Sequence, residues 1–222
     1  MNLDNFYKCL NNTSFQLNIW YLIAVATILF LYNKNKIVGL GVSGFTIFVL
    51  CFVPYTIGYL PLTMIKLMII AFGSYLFFTG ILFDCFKIYI NLVLTTIVRL
   101  NIFVLIITTH HIWLILSLIF VTITTPIFLI KRDNVVMSDM FIPKDLWVIL
   151  TTIILSLYYA FTPYFCSNVF LVISACIIPL FMHFISNQYL ESRALCLCIV
   201  FMFDILNNTR KSIHDFIIDS KY

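Results

Sequence analysis

Seven stretches of this chain, each about 20 residues long, are apolar and almost free of charge. They run approximately over 17–32, 37–60, 62–83, 88–108, 112–130, 146–165 and 168–186. A helix needs about 20 mainly apolar residues to cross the hydrocarbon core of a bilayer. Polar or proline-containing breaks separate the stretches: Asn33-Lys34-Asn35-Lys36, Pro61, Asp84 to Lys87, His110-His111, Lys131 to Asp145, and the region from Pro163 to Asn168. An eighth apolar run, Ala194 to Leu206, has 13 residues and contains Asp204. That length suits an interfacial or re-entrant helix better than a span.

Composition agrees. Hydrophobic residues make up 63% of the 222 and charged residues 10%, with a mean hydropathy of +1.08. Soluble domains carry about 25% charged residues, and a body this small cannot hide so much apolar surface. The expected fold is an all-α integral membrane bundle of about seven transmembrane helices with a short C-terminal helix. Residues 1–16 form a polar N-terminal segment, 17–186 the seven-span membrane domain, and 187–222 a short apolar helix with a polar tail. The polar start, without a basic n-region and short apolar stretch, argues against a cleaved signal peptide or a transit peptide.

Charge placement orients the bundle. With Arg99 set aside as intramembrane, the N-terminal face holds Lys8 and Lys66. The opposite face holds Lys34, Lys36, Lys87, Lys131, Arg132, Lys144, Arg193, Arg210, Lys211 and Lys221. The positive-inside rule then expects the N-terminus outside and the C-terminus inside. Trp20, Trp113 and Trp147 each stand near the start of a span, where indoles anchor at the headgroup level. A net charge of +4 with scattered basic residues is no nucleic-acid footprint. The seven cysteines include no Cys-x-x-Cys pair, so they read as small hydrophobes.

Three residues are candidates for a buried charge or a partner contact: Arg99, Asp84 and Asp204. Arg99 lies near the middle of the fourth span, roughly 14–16 Å from either end. A central arginine costs about 2.5–3.5 kcal/mol on insertion scales. It calls for carbonyls, water or a carboxylate, which another protein could supply. Asp84 and Lys87 bracket a turn and suit an i,i+3 ion pair. His110-His111 and His183 belong to opposite ends of the bundle, about 25–30 Å apart, so they cannot share a metal. His183 reads as a hydrogen-bonded interior residue. Pro126, after Thr122, Thr124 and Thr125, suggests a kink within the fifth span, with threonine hydroxyls serving the freed carbonyls.

No Walker motif, His-Glu-x-x-His or Gly-x-Ser-x-Gly occurs. A rhodopsin's Schiff-base lysine is missing, since 146–206 contains no lysine. The 35 Ile and 23 Phe against 6 Ala and 6 Gly mark an AT-rich coding bias. In that composition, and in its near-absence of soluble mass, the whole chain resembles mitochondrially encoded respiratory-chain membrane subunits of fast-evolving, ciliate-like protists. Arg99-Leu100-Asn101 followed by His110 is similar to a pattern in ATP synthase subunit a, though the Asn is displaced. His110-His111, then Ser138-Asp139, follow the order seen in subunit III of cytochrome c oxidase, without that family's glutamate in span three. The resemblance implies a non-catalytic structural subunit of a respiratory complex in the mitochondrial inner membrane, cytochrome c oxidase or complex I foremost. Its partners would be other membrane subunits and lipids, with no nucleic acid and no cofactor of its own. The alternative is an independent transporter or channel with Arg99 lining the path.

Overall fold

The computed structural model describes residues 14–52, 61–131, 134–161 and 172–203. The chain is mostly helical. Its helices are α1 (Ser14–Lys34), α2 (Ile37–Phe52), α3 (Pro61–Leu82), α4 (Lys87–Thr108), α5 (Ile112–Thr124) and α6 (Lys144–Phe161). There follow α7, made of a π-helical turn Ile173–Ile177 and the helix Ile178–Ser186, and α8 over 189–203. A short 3-10 turn, Asp84–Phe86, joins α3 to α4. By length and composition two segments, Asp84–Thr108 and Lys144–Phe161, are able to cross a membrane. The other apolar helices meet that standard less fully, although a helix occupies part or all of each expected stretch.

One departure is large. The stretch 112–130 is not one helix, and the fold is not all-α. Helix α5 stops at Thr124, and Ile127–Lys131 (β1) pairs antiparallel with Asn134–Ser138 (β2) in a register running from Ile127↔Ser138 to Lys131↔Asn134. Pro126 ends the helix rather than kinking it. Proline disfavours the α region for the residue before it, and Thr125 is extended, at φ −59° and ψ 119°. The threonines act as expected: Thr122 Oγ1 donates to Leu118 O at 2.8 Å, Thr124 Oγ1 to Phe120 O at 2.8 Å, and Thr125 Oγ1 to Val121 O at 2.7 Å.

A second departure concerns α8. The run 194–206 was expected at an interface. Its described part instead sits at the centre of the bundle, where Leu195, Cys196, Leu197, Cys198 and Ile199 are buried in succession. A helix apolar all round belongs inside. The other helices bury single stripes: Tyr21, Val25, Leu29 and Tyr32 on α1, and Leu114, Leu118 and Val121 on α5. Arg193, counted above as a surface cation, is buried with α8. Trp147, expected as a headgroup anchor, is 2% exposed and stands edge-on between Phe128 and Tyr189. Trp20 and Trp113 do face outward. On α7, Ile178 N–H reaches back to Ile173 O in a π-type bond just before Pro179, which has no N–H to give.

Helices α2 and α3 pack through glycine. A Cβ on Gly39 would lie 2.5 Å from the Phe78 ring, and that ring is itself held against Tyr32 and Phe77. A Cβ on Gly41 would meet nothing within 4 Å. Gly39→Ala should therefore destabilise the chain by about 1–3 kcal/mol through overpacking. Gly41→Ala should be neutral or stabilise by up to about 1 kcal/mol through helix propensity. Thermal unfolding of the two variants in detergent checks this, and equal behaviour would contradict the close contact.

Candidate functional site

The hairpin is a non-helical segment inside an apolar body, so its outward-facing backbone groups need partners that no third strand provides. Helix α4 provides them. Asn91, Thr95 and Arg99 follow one another at four-residue spacing, which lines them up along one side of a helix. Asn91 Oδ1 accepts from Ile130 N–H at 2.8 Å, and Thr95 Oγ1 accepts from Phe128 N–H at 3.0 Å. Arg99 Nη2 donates to Thr125 O at 3.2 Å. On the other edge, Val135 N–H donates to Glu191 Oε1 at 3.3 Å.

Arg99 thus meets a carbonyl, one of the partners its depth called for. It pairs with no carboxylate among the described residues. Its side is otherwise open: Arg99 is exposed and shares the outer face of α4 with Ile88, Leu92, Phe103 and Ile107, all exposed. Asp84 pairs with Lys87 across the turn, as its spacing suggested. Lys87 and Arg99 are twelve residues apart on α4, roughly 18 Å along its axis, so Asp84 and Arg99 do not come together. Asp204 lies outside the described residues.

A polar cluster forms where α6, α7, α8 and the hairpin turn meet. Asp145, in the first turn of α6, accepts or shares a 2.8 Å hydrogen bond with His183 Nε2. His183 is buried on α7, whereas Asp145 is exposed. The hydrogen-bonded interior histidine expected from the sequence is thus present, with its partner now identified. Its position near the inner end of the seventh stretch, level with the start of the sixth, was the available signal. Asn187 ends α7 in the left-handed region, at φ 61°. Asn187 N–H and Gln188 N–H return to His183 O and Met182 O, a Schellman-type cap. The Asn187 side chain then accepts from Lys144 Nζ.

Glu191 was not singled out from the sequence. It lies in the first turn of α8 and is 1% exposed. Burial pushes its carboxyl up to about 7, against the lowering pull of its own backbone N–H, the Val135 N–H, Lys36 and Lys144. The common approach of Lys36 and Lys144 to one carboxyl puts these cations at one end of the bundle. His110 and His111 lie at the other end, beyond the C-terminus of α4, where the Thr108 and Tyr158 hydroxyls share a 2.7 Å bond. His111 is engaged there with Trp113 and Phe161. Among the described residues no three His, Cys, Asp or Glu side chains gather as a metal site would need.

The raised Glu191 value has a sign. Between the ordinary 4.5 and about 7, the folded chain holds a proton that the unfolded chain has released. Stability therefore falls as pH rises through that window, by on the order of 3 kcal/mol. Glu191→Gln keeps an acceptor for Val135 and removes the titration. Its unfolding temperature should be nearly equal at pH 5 and pH 8 in detergent, while the unaltered chain loses several degrees. Equal slopes in both would show that Glu191 is not the group responsible. Comparison of the chain with protein-family models, with curated proteins and with solved structures yields no match.

Proposed function

We propose that this chain is a structural, membrane-embedded subunit of a mitochondrial respiratory-chain complex, with cytochrome c oxidase or complex I the favoured hosts. Its work is to pack helices against partner helices and lipid, so that the complex assembles and holds. The observation that carries this reading is the outer face of α4. There a stripe of exposed apolar side chains, Ile88, Leu92, Phe103 and Ile107, surrounds one exposed arginine. The stripe suits a lipid or helix surface, and Arg99 at its centre has one carbonyl for company. A charge at that depth is costly when it faces lipid alone. A carboxylate on a neighbouring subunit would offset the cost and fix the register of the two helices. Exposed apolar residues on α1, α2, α5 and α7, such as Phe30, Phe48, Ile123 and Ile185, support an environment without bulk water. The mitochondrial assignment rests on the compositional resemblance. In this reading the spans run through the apolar helices, and the end bearing Lys36, Lys87, Lys144 and Glu191 faces the matrix.

Gentle solubilisation of the native membrane, blue-native separation and mass spectrometry test the proposal. The chain should migrate with respiratory subunits, and Arg99→Leu should reduce recovery of the assembled complex at least severalfold, with partial rescue by Arg99→Lys. Migration alone, or as a homo-oligomer, would remove the proposal and favour a transporter. Orientation has its own test. Cys85 is exposed in the turn between α3 and α4. A membrane-impermeant maleimide should label it from the matrix side, measured as the signal lost in Cys85→Ser. Labelling from the opposite side would reverse the topology.

A further inference from the structure

Helices α3, α4, α6 and α8 enclose a cavity of about 100 Å³ whose walls are mostly apolar, Leu94, Ile102 and Leu155 among them. Four polar side chains also line it: Asn101, Trp147, Thr151 and Arg193. Trp147 is 2% exposed and Thr151 3% exposed, yet Trp147 Nε1 and Thr151 Oγ1 have no hydrogen-bond partner, and neither does Asn101 Oδ1. Buried polar atoms of this kind are nearly always satisfied in native proteins. Three of them around one cavity mark a place where something else supplies the partners.

The donors identify its chemistry. The Trp147 indole can only donate, Thr151 has a hydroxyl proton to offer, and the Asn101 amide can turn either end inward. Arg193 contributes a full positive charge. Its guanidinium makes one bond, from Nη1 to the Tyr189 hydroxyl at 3.2 Å, and leaves other N–H donors over. No carboxylate pairs with it among the described residues. Glu191 is two residues away, which places it about 200° around α8, and it is occupied by Val135 N–H. The site therefore has an unbalanced cation, surplus donors and an apolar remainder. A water needs only about 10–15 Å³ of such volume, so the cavity is several times larger than one water.

We propose that this cavity binds a small monocarboxylate with a compact apolar body, its carboxylate held by Arg193, Thr151 and Trp147 and its apolar end by the α3 and α4 side chains. The carboxylate supplies the missing counter-charge and the acceptors together, and the fork of a guanidinium matches its two oxygens. The site is separate from the outer face of α4, so it stands whether or not a partner helix docks there.

Equilibrium dialysis with labelled hexanoate tests this on the full chain, solubilised with whatever subunits remain bound. Hexanol is the neutral counterpart and chloride the small inorganic anion. Hexanoate should bind saturably, hexanol at least tenfold more weakly, and chloride should compete poorly. Thr151→Val, nearly the same shape, should weaken hexanoate about tenfold, and Arg193→Gln should abolish its preference over hexanol. Leu92→Ala, on the outer face of α4, should leave binding unchanged. Binding that ignores Thr151→Val in a chain that still unfolds cooperatively would place the ligand elsewhere. Equal uptake of hexanoate and hexanol, saturation by chloride alone, or no binding at all would each overturn the proposal.

Discussion

The structure depends on how a hairpin survives inside an apolar body. Main-chain N–H and C=O groups away from water must be bonded, and a helix bonds them within itself. The segment from Thr125 to Ser138 gives up that solution. Its two strands satisfy one edge each, and the outer edges fall to side chains: Asn91, Thr95 and Arg99 of α4, and Glu191 of α8. Each of these polar residues would be a liability on a helix packed only against apolar neighbours. Together they make the hairpin possible, and the hairpin gives them partners. It also wedges Phe128 against Trp147, which sets α6 and in turn Tyr189 of α8.

The same arrangement sorts the charges by role. Asp84 and Lys87 neutralise one another at a turn. Glu191 is drawn inside by the strand it caps, at the cost of a raised ionisation. Arg99 stays on the outer face with a single carbonyl, and Arg193 lies inside beside a cavity. The two arginines thus point to two different needs. One is a need for a neighbour outside the chain, the other for a counter-charge within it. A structural subunit held by its partners and by bound small molecules would meet both.

Helix positions were legible because they depend on local information. Lys34 to Lys36, Pro61, Asp84 to Lys87 and His110-His111 interrupt apolar runs, and helices break at each of them. The hairpin was not legible in the same way. Residues 112–130 form one apolar run of helical length, and Pro126 can either kink or stop a helix. The β-branched residues Ile127, Ile130, Val135 and Val136, gathered on both sides of Lys131 to Asn134, carried the strand signal. Arg99 stood out as a charge in an apolar run. Asn91 and Thr95, at the same four-residue spacing, did not, because a single polar residue on a helix needs no explanation until the backbone it serves is known.

The sequence by itself determined that the chain would be a set of apolar helices with their cations gathered toward one end. Run length, proline position and charge spacing act within a few residues, and no distant contact can undo them. Only the tertiary structure decided that residues 194–203 lie at the centre, that Trp147 is core rather than anchor, and that Glu191 and Arg193 are buried on different sides of one helix turn. Burial is a property of what surrounds a residue. Those surroundings come from helices and strands 40 to 100 residues away, whose pairing no local pattern encodes.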